Sequence, residues 1–151
     1  MLTYLLVGMS DNGEVPTFTT KIAIVIRDDL AIWQKLNVTA FLATGIIGAY
    51  PEILGEPYRD SDGNQYHRLA GQPIIVLAAN VQAMKTIYER AMQRAAAMAV
   101  YVEEMFKTGH DAANRATVRA SSPQSMNVVG LALREEKKLV DKITKGATLH
   151  P

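Results

Sequence analysis

Lys21-Ile22-Ala23-Ile24-Val25-Ile26-Arg27-Asp28-Asp29-Leu30-Ala31-Ile32-Trp33-Gln34-Lys35 is the stretch on which the fold turns. An unbroken apolar run, most of it β-branched, lies between Lys21 and Arg27. A short apolar run closed by charges at both ends reads as a strand buried on both faces. Arg27, Asp28, Asp29 and Lys35 follow at once. Ligand sites of open α/β sheets lie outside the carboxyl ends of the strands. The densest charge cluster in this half of the chain therefore falls where a site is expected.

Working outward, a helix follows the strand. Asp28 or Asp29 can cap its free N–H groups. Val38, Phe41, Leu42 and Ile46 recur on it at helical spacing, and Ala40, Thr44 and Gly48 form a small-residue stripe that predicts close packing. Gly48 and Pro51 end it. Ser61-Asp62-Gly63, between Glu56–Asp60 and Asn64–Leu69, signals a peripheral hairpin. Gln72–Ala79 reads as a second buried strand. The helix after it starts at Asn80 and carries Met84, Ile87, Tyr88, Ala91, Met92 and Ala95 on its apolar face. Met98–Val102 and Asn127–Leu133 read as two more strands, separated by a polar, partly helical connection over 107–120. Arg134–Lys145 reads as a last charged helix with Leu139, Val140 and Ile143 inward. Residues 1–20 read as an N-terminal extension, and 21–151 as one domain.

That alternation predicts a three-layer α/β/α sandwich with a mixed sheet of about four strands and helices on both faces. The 151-residue chain carries 48% apolar and 21% charged residues, as one globular domain would. It has no cysteine, which excludes disulfides, zinc thiolates, iron–sulfur clusters and thiol nucleophiles. No glycine-rich phosphate loop is present. His67, His110 and His150 show no metal-ligand spacing, so neither metal nor cofactor is expected. The start of the chain lacks the basic region and cleavage site of a signal sequence, and cytoplasmic location is the default expectation. Net charge is +1, but residues 1–84 hold 5 basic and 8 acidic groups while the rest hold 11 and 7. The second half could face phosphate, or its charges could simply solvate helix faces.

Several strings resemble peptidyl-tRNA hydrolase type 2. The matching residues are Lys21, Arg27, Asp29, Leu30 and Lys35, then Gln72-Pro73 through Ala97. Val128-Val129-Gly130-Leu131-Ala132, Leu139 through Gly146, and Leu149 complete the likeness, which spans roughly residues 21–150. The chain resembles still more closely a bacterial group, domain-of-unknown-function family 2000, which shares that fold. Arg27 through Asn37, Gly55 through Asp60, and Thr108 through Arg115 carry this second likeness. Departures from the hydrolase are concentrated on the first helix. Gln34 replaces the glycine before the lysine, and Asn37, Val38, Thr39, Phe41 and Leu42 stand where it carries Ala-Ala-Gln and a histidine. Its Asp-Ala-Gly loop becomes Asp111-Ala112-Ala113-Asn114.

The hydrolase resemblance implies that Lys35 stabilises developing charge and Asp111, with His110 beside it, positions or deprotonates water. Arg27, Asp29, Asn37 and Arg115 are candidate substrate-binding residues. Each has a plain structural alternative: an ion pair for Arg27 and Arg115, a helix cap for Asp29 and Asn37. Trp33 could stack on a ring or simply pack. Lys35, Asn37 and the 108–115 segment are expected to border one cleft at the carboxyl end of the first strand. Two functions stay open: a cofactor-free hydrolase of acyl or peptidyl esters, and a small-molecule or protein-binding module on the same fold. The expected partners are tRNA or a small molecule, and a second copy in a homodimer.

Overall fold

The computed structural model describes residues 15–151, so residues 1–14 of the expected N-terminal extension lie outside the described residues. In chain order the elements are β1 (Thr20–Arg27), α1 (Ile32–Ala49), a 3-10 turn (Pro51–Ile53), β2 (Tyr58–Arg59), β3 (Gln65–Tyr66), β4 (Ile74–Ala79) and α2 (Val81–Gln93). Then follow β5 (Met98–Val102), a second 3-10 turn (Glu103–Lys107), α3 (Asp111–Arg119), β6 (Val128–Glu136), α4 (Lys137–Ile143) and β7 (Thr148–Leu149).

The main sheet is mixed and runs β5-β6-β1-β4-β7. β1 lies parallel to β4, with Ile24 opposite Val76, and antiparallel to β6, with Ile24 opposite Ala132. β1 is buried on both faces, as its apolar run predicts. Ile22, Ile24 and Ile26 pack with Val38, Leu42 and Ile46 of α1. Ala23 and Val25 pack the other way, against Met84, Ile87 and Ala91 of α2 and Val140 and Ile143 of α4. Alternate residues of a strand point to opposite faces, so helices cover both. Burying each such aliphatic side chain is worth about 1.5–3 kcal/mol, and the two cores together hold the sheet between its layers.

Several expectations are corrected. The sheet has five strands, because β7 pairs with β4 through Leu77 opposite Leu149. β4 is half-buried rather than buried, and Ile74 is exposed, since the two-residue β7 covers little of its outer side. β6 continues through Glu136 and takes the first residues expected in the last helix. The stripe Ala40-Thr44-Gly48 is exposed, with nothing near Gly48. The close approach lies one residue later in the turn. A Cβ at Gly45 would stand 2.9 Å from Ala99 Cβ. Ala95 leaves α2 altogether and takes φ 51°, ending the helix where a glycine is usual.

The hairpin forms as expected, with Tyr58 opposite Tyr66 and Arg59 opposite Gln65. Asp60 organises it. Its carboxylate accepts from Asp62 N (3.0 Å), Asn64 N (2.9 Å), Asn64 Nδ2 (2.9 Å) and Tyr66 Oη (2.9 Å). These bonds, those from Asn64 and Tyr66 above all, hold the Asp60 carboxyl below its ordinary range. Gly63 supplies the positive φ of the turn at 87°. Among the described residues no helix is long and apolar enough to cross a membrane.

Candidate functional site

β1 and β4 are neighbours and parallel, and their chains leave the sheet for opposite faces, β1 toward α1 and β4 toward α2. The crevice outside their carboxyl ends is where such sheets bind ligands. Arg27, the last residue of β1, is 8% exposed. Its Nε and Nη2 donate to the Asp29 carboxylate at 2.7 and 3.0 Å, and Nη1 donates to Asn127 Oδ1 at 3.1 Å. Asn127 Nδ2 in turn donates to Glu103. The paired guanidinium holds the Asp29 carboxyl below its ordinary range, and Lys35 nearby adds to the effect. Asp29 likewise raises Arg27 against the opposing cost of burial. Of the two readings of Arg27 and Asp29, the ion pair is present. The helix cap is not: Ala31 is the N-cap of α1, and Gln34 Oε1 accepts from Ala31 N at 2.9 Å.

A well-formed cavity lies elsewhere. A cleft of about 510 Å³ runs between α1, β5 and α3. Phe41, Leu42, Thr44 and Gly45 form its α1 wall, Ala99, Val100 and Tyr101 its floor, and Met105 one end. Asp111, Asn114, Arg115, Val118 and Arg119 face it from α3. The walls are mostly apolar, with the charged groups confined to α3. Aromatic rings extend along the same side. Phe41 and Tyr101 lie 6.1 Å apart between centroids, Tyr101 and Phe106 5.2 Å, and Phe106 and Trp33 form a T-shaped pair at 5.7 Å. Tyr101 is buried, which pushes its phenol up. Trp33 and Phe41 remain 61% and 54% exposed, so the aromatic row is open to a partner.

The expected cluster is thereby divided. Asp111 and Arg115 border the cleft, whereas Lys35 and Asn37 are not among its walls. Lys35 lies in the first turn of α1, on the side of Val38 and Leu42, near enough to Asp29 to help lower its carboxyl. Asn37 is inside the helix, well past the N-cap, and lies about 200° round from Lys35. His110 caps α3, its Nδ1 accepting from Ala113 N at 3.2 Å. Asp111 pairs with Arg115 one turn on. Sequence reasoning missed Asn114, Arg119, Tyr101 and Asn127. Only α3 carried a signal, since Asp111, Arg115 and Arg119 recur at the i, i+4 spacing of one helix face. Among the described residues no three histidines or carboxylates gather as a metal site.

A family model described as protein of unknown function matches residues 20–151. The chain belongs to the DUF2000 family. Among solved structures, a protein of unknown function from Agrobacterium tumefaciens strain C58 is 56% identical and superposes with a TM-score of 0.88. The match covers 89% of this chain and all (100%) of that one. None of the curated proteins matches. Each string quoted above for the DUF2000 resemblance, including Gly55 through Asp60 and Thr108 through Arg115, falls inside the matched span. Within this DUF2000 domain, Gly55 through Asp60 builds the hairpin and Thr108 through Arg115 builds the start of α3.

Proposed function

We propose that this DUF2000 protein is a ligand-binding module, and that its site is the cleft between α1, β5 and α3. The observation that carries the reading is the cleft itself. Its volume of about 510 Å³ falls within the roughly 300–1,000 Å³ usual for ligand sites, and apolar walls with a few placed polar groups are their usual lining. The residues expected to do chemistry are otherwise engaged. His110 Nδ1 caps a helix and Asp111 pairs with Arg115, while Lys35 is not among the residues lining the cleft.

The mixed sheet with helices on both faces supports a fold of the peptidyl-tRNA hydrolase type 2 kind, and with it a second reading as an ester hydrolase. Asp111 at the rim of the cleft is what favours that second reading. A peptidyl-tRNA cleavage assay separates the two. No release of peptide above the buffer rate is expected from the unmodified protein. Cleavage that falls on the order of 10²–10³-fold in Lys35→Ala, the effect of losing one preorganised electrostatic group, would overturn the binding-module reading and place Lys35 in a mechanism.

A homodimer belongs to the same proposal. Ile32, Trp33 and Leu36 are 77%, 61% and 68% exposed on the first turns of α1. Such a patch on a helix end is suited to an isologous twofold contact. Light scattering at micromolar concentration is expected to give twice the chain mass, and Leu36→Glu to give the monomer. A monomeric mass for the unmodified protein would remove the dimer.

A further inference from the structure

The cleft opens along the free edge of β5. Among the described residues that strand ends the sheet and pairs only with β6. Ala99 and Tyr101 pack on the α1 face, Val100 on the opposite face, yet all three line the same cleft. Consecutive strand residues point to opposite faces, so a cavity touching all three reaches the backbone edge, where N–H and C=O groups lack a strand partner. Across the cleft stands α3, a nine-residue helix with no buried residue. A helix that short is marginal in water unless it packs, and here Val118 is its one apolar contact with the core beside the cleft it also lines, so α3 is held on one side only. An open sheet edge, a groove and a helix beyond it are what an extended peptide uses when it adds itself to a sheet.

Resting on the binding-module reading, we propose that the ligand is an extended peptide segment, taken up as an additional strand between β5 and α3. Main-chain hydrogen bonds to the β5 edge supply affinity. Alternate apolar side chains face Phe41, Leu42 and Met105. The segment carries an acidic group, because Arg115 is already paired with Asp111 whereas Arg119 has no ion-pair partner among the described residues. The filled groove adds a second packed side to α3, which meets the core through Val118.

The test is selection of short peptides from a random display library on the full-length protein, counter-selected on Phe41→Asp. Phe41 is more than half exposed, so this variant is expected to fold. Enriched peptides are synthesised with and without N-methyl groups on alternate backbone nitrogens. The expected results are enrichment of alternating apolar sequences with an acidic residue, and about tenfold or greater weakening on N-methylation, as loss of two or three main-chain hydrogen bonds requires. Binding is also expected to weaken in Arg119→Glu and to slow amide exchange over residues 98–102. Equal affinity for the N-methylated peptide, or no enrichment over Phe41→Asp, overturns the proposal. If an apolar dye still binds the cleft when no peptide does, the peptide fails and the binding module stands. If neither binds, both fail. Exchange protection of β5 that grows with protein concentration alone would assign the edge to a second copy and also overturn it.

Discussion

Asp29→Ala is expected to destabilise the protein by about 2 kcal/mol at pH 7. Arg27 has a side chain 10% exposed and would lose both bonds to the carboxylate, keeping only Asn127. Hydrogen bonds to charged groups are worth roughly 1.5–3 kcal/mol, and an unpaired buried charge costs roughly 3–5 kcal/mol. The Asp29 side chain is 46% exposed, so water replaces part of the loss and the smaller figure holds. The pH dependence has a definite sign. Folding lowers the Asp29 carboxyl below its ordinary value. Its contribution is therefore complete above the unfolded value of about 4 and disappears as pH falls through the folded value. Urea unfolding should show the gap between the two proteins from neutral pH down to about pH 4, and its closure in stronger acid. Equal stability at pH 7 would mean that the Arg27–Asp29 pair contributes nothing.

Gly130→Ala is expected to cost about 1–3 kcal/mol, the usual penalty of overpacking a filled core. Gly130 sits in β6 beneath α1. A Cβ there would stand 2.6 Å from Val38 Cγ1, 3.0 Å from Leu42 Cδ1 and 3.3 Å from Ile26 Cδ1. Val38 is β-branched and fully buried, with little freedom to move aside. The double substitution with Val38→Ala opens that space, so its loss should be smaller than the sum of the single losses. Additive losses would show that α1 does not rest on Gly130.

Much of the fold was legible because local signals and tertiary packing agree. β5 runs over Met98–Val102 as read. Asn80 caps α2 through Ala83 N at 2.8 Å, and Asp-Gly turns the hairpin. Misreadings arose where one periodicity serves two faces. Ala40-Thr44-Gly48 and the residues around Gly45 share a spacing of four, and only the position of the sheet decides which row packs. β7 is two residues long and pairs at only two positions with the distant β4, too short to stand out from its surroundings. The site was less legible. Arg27 and Asn127 meet across 100 residues, and the aromatic row joins α1 to the segment after β5. Neither leaves a periodic trace. Lys35 and Asn37 were two positions apart in sequence, yet once both are helical they face different ways.

The central claim is that the cleft between α1, β5 and α3 binds a ligand. Titration with anilinonaphthalenesulfonate, an apolar ring system bearing one anionic group, measures this most directly. One saturable site is predicted for the folded protein, with affinity reduced about tenfold or more in Phe41→Asp, whose thermal unfolding stays close to that of the unmodified chain. Equal binding by both proteins, or no saturable binding by either, would contradict the assignment of the cleft.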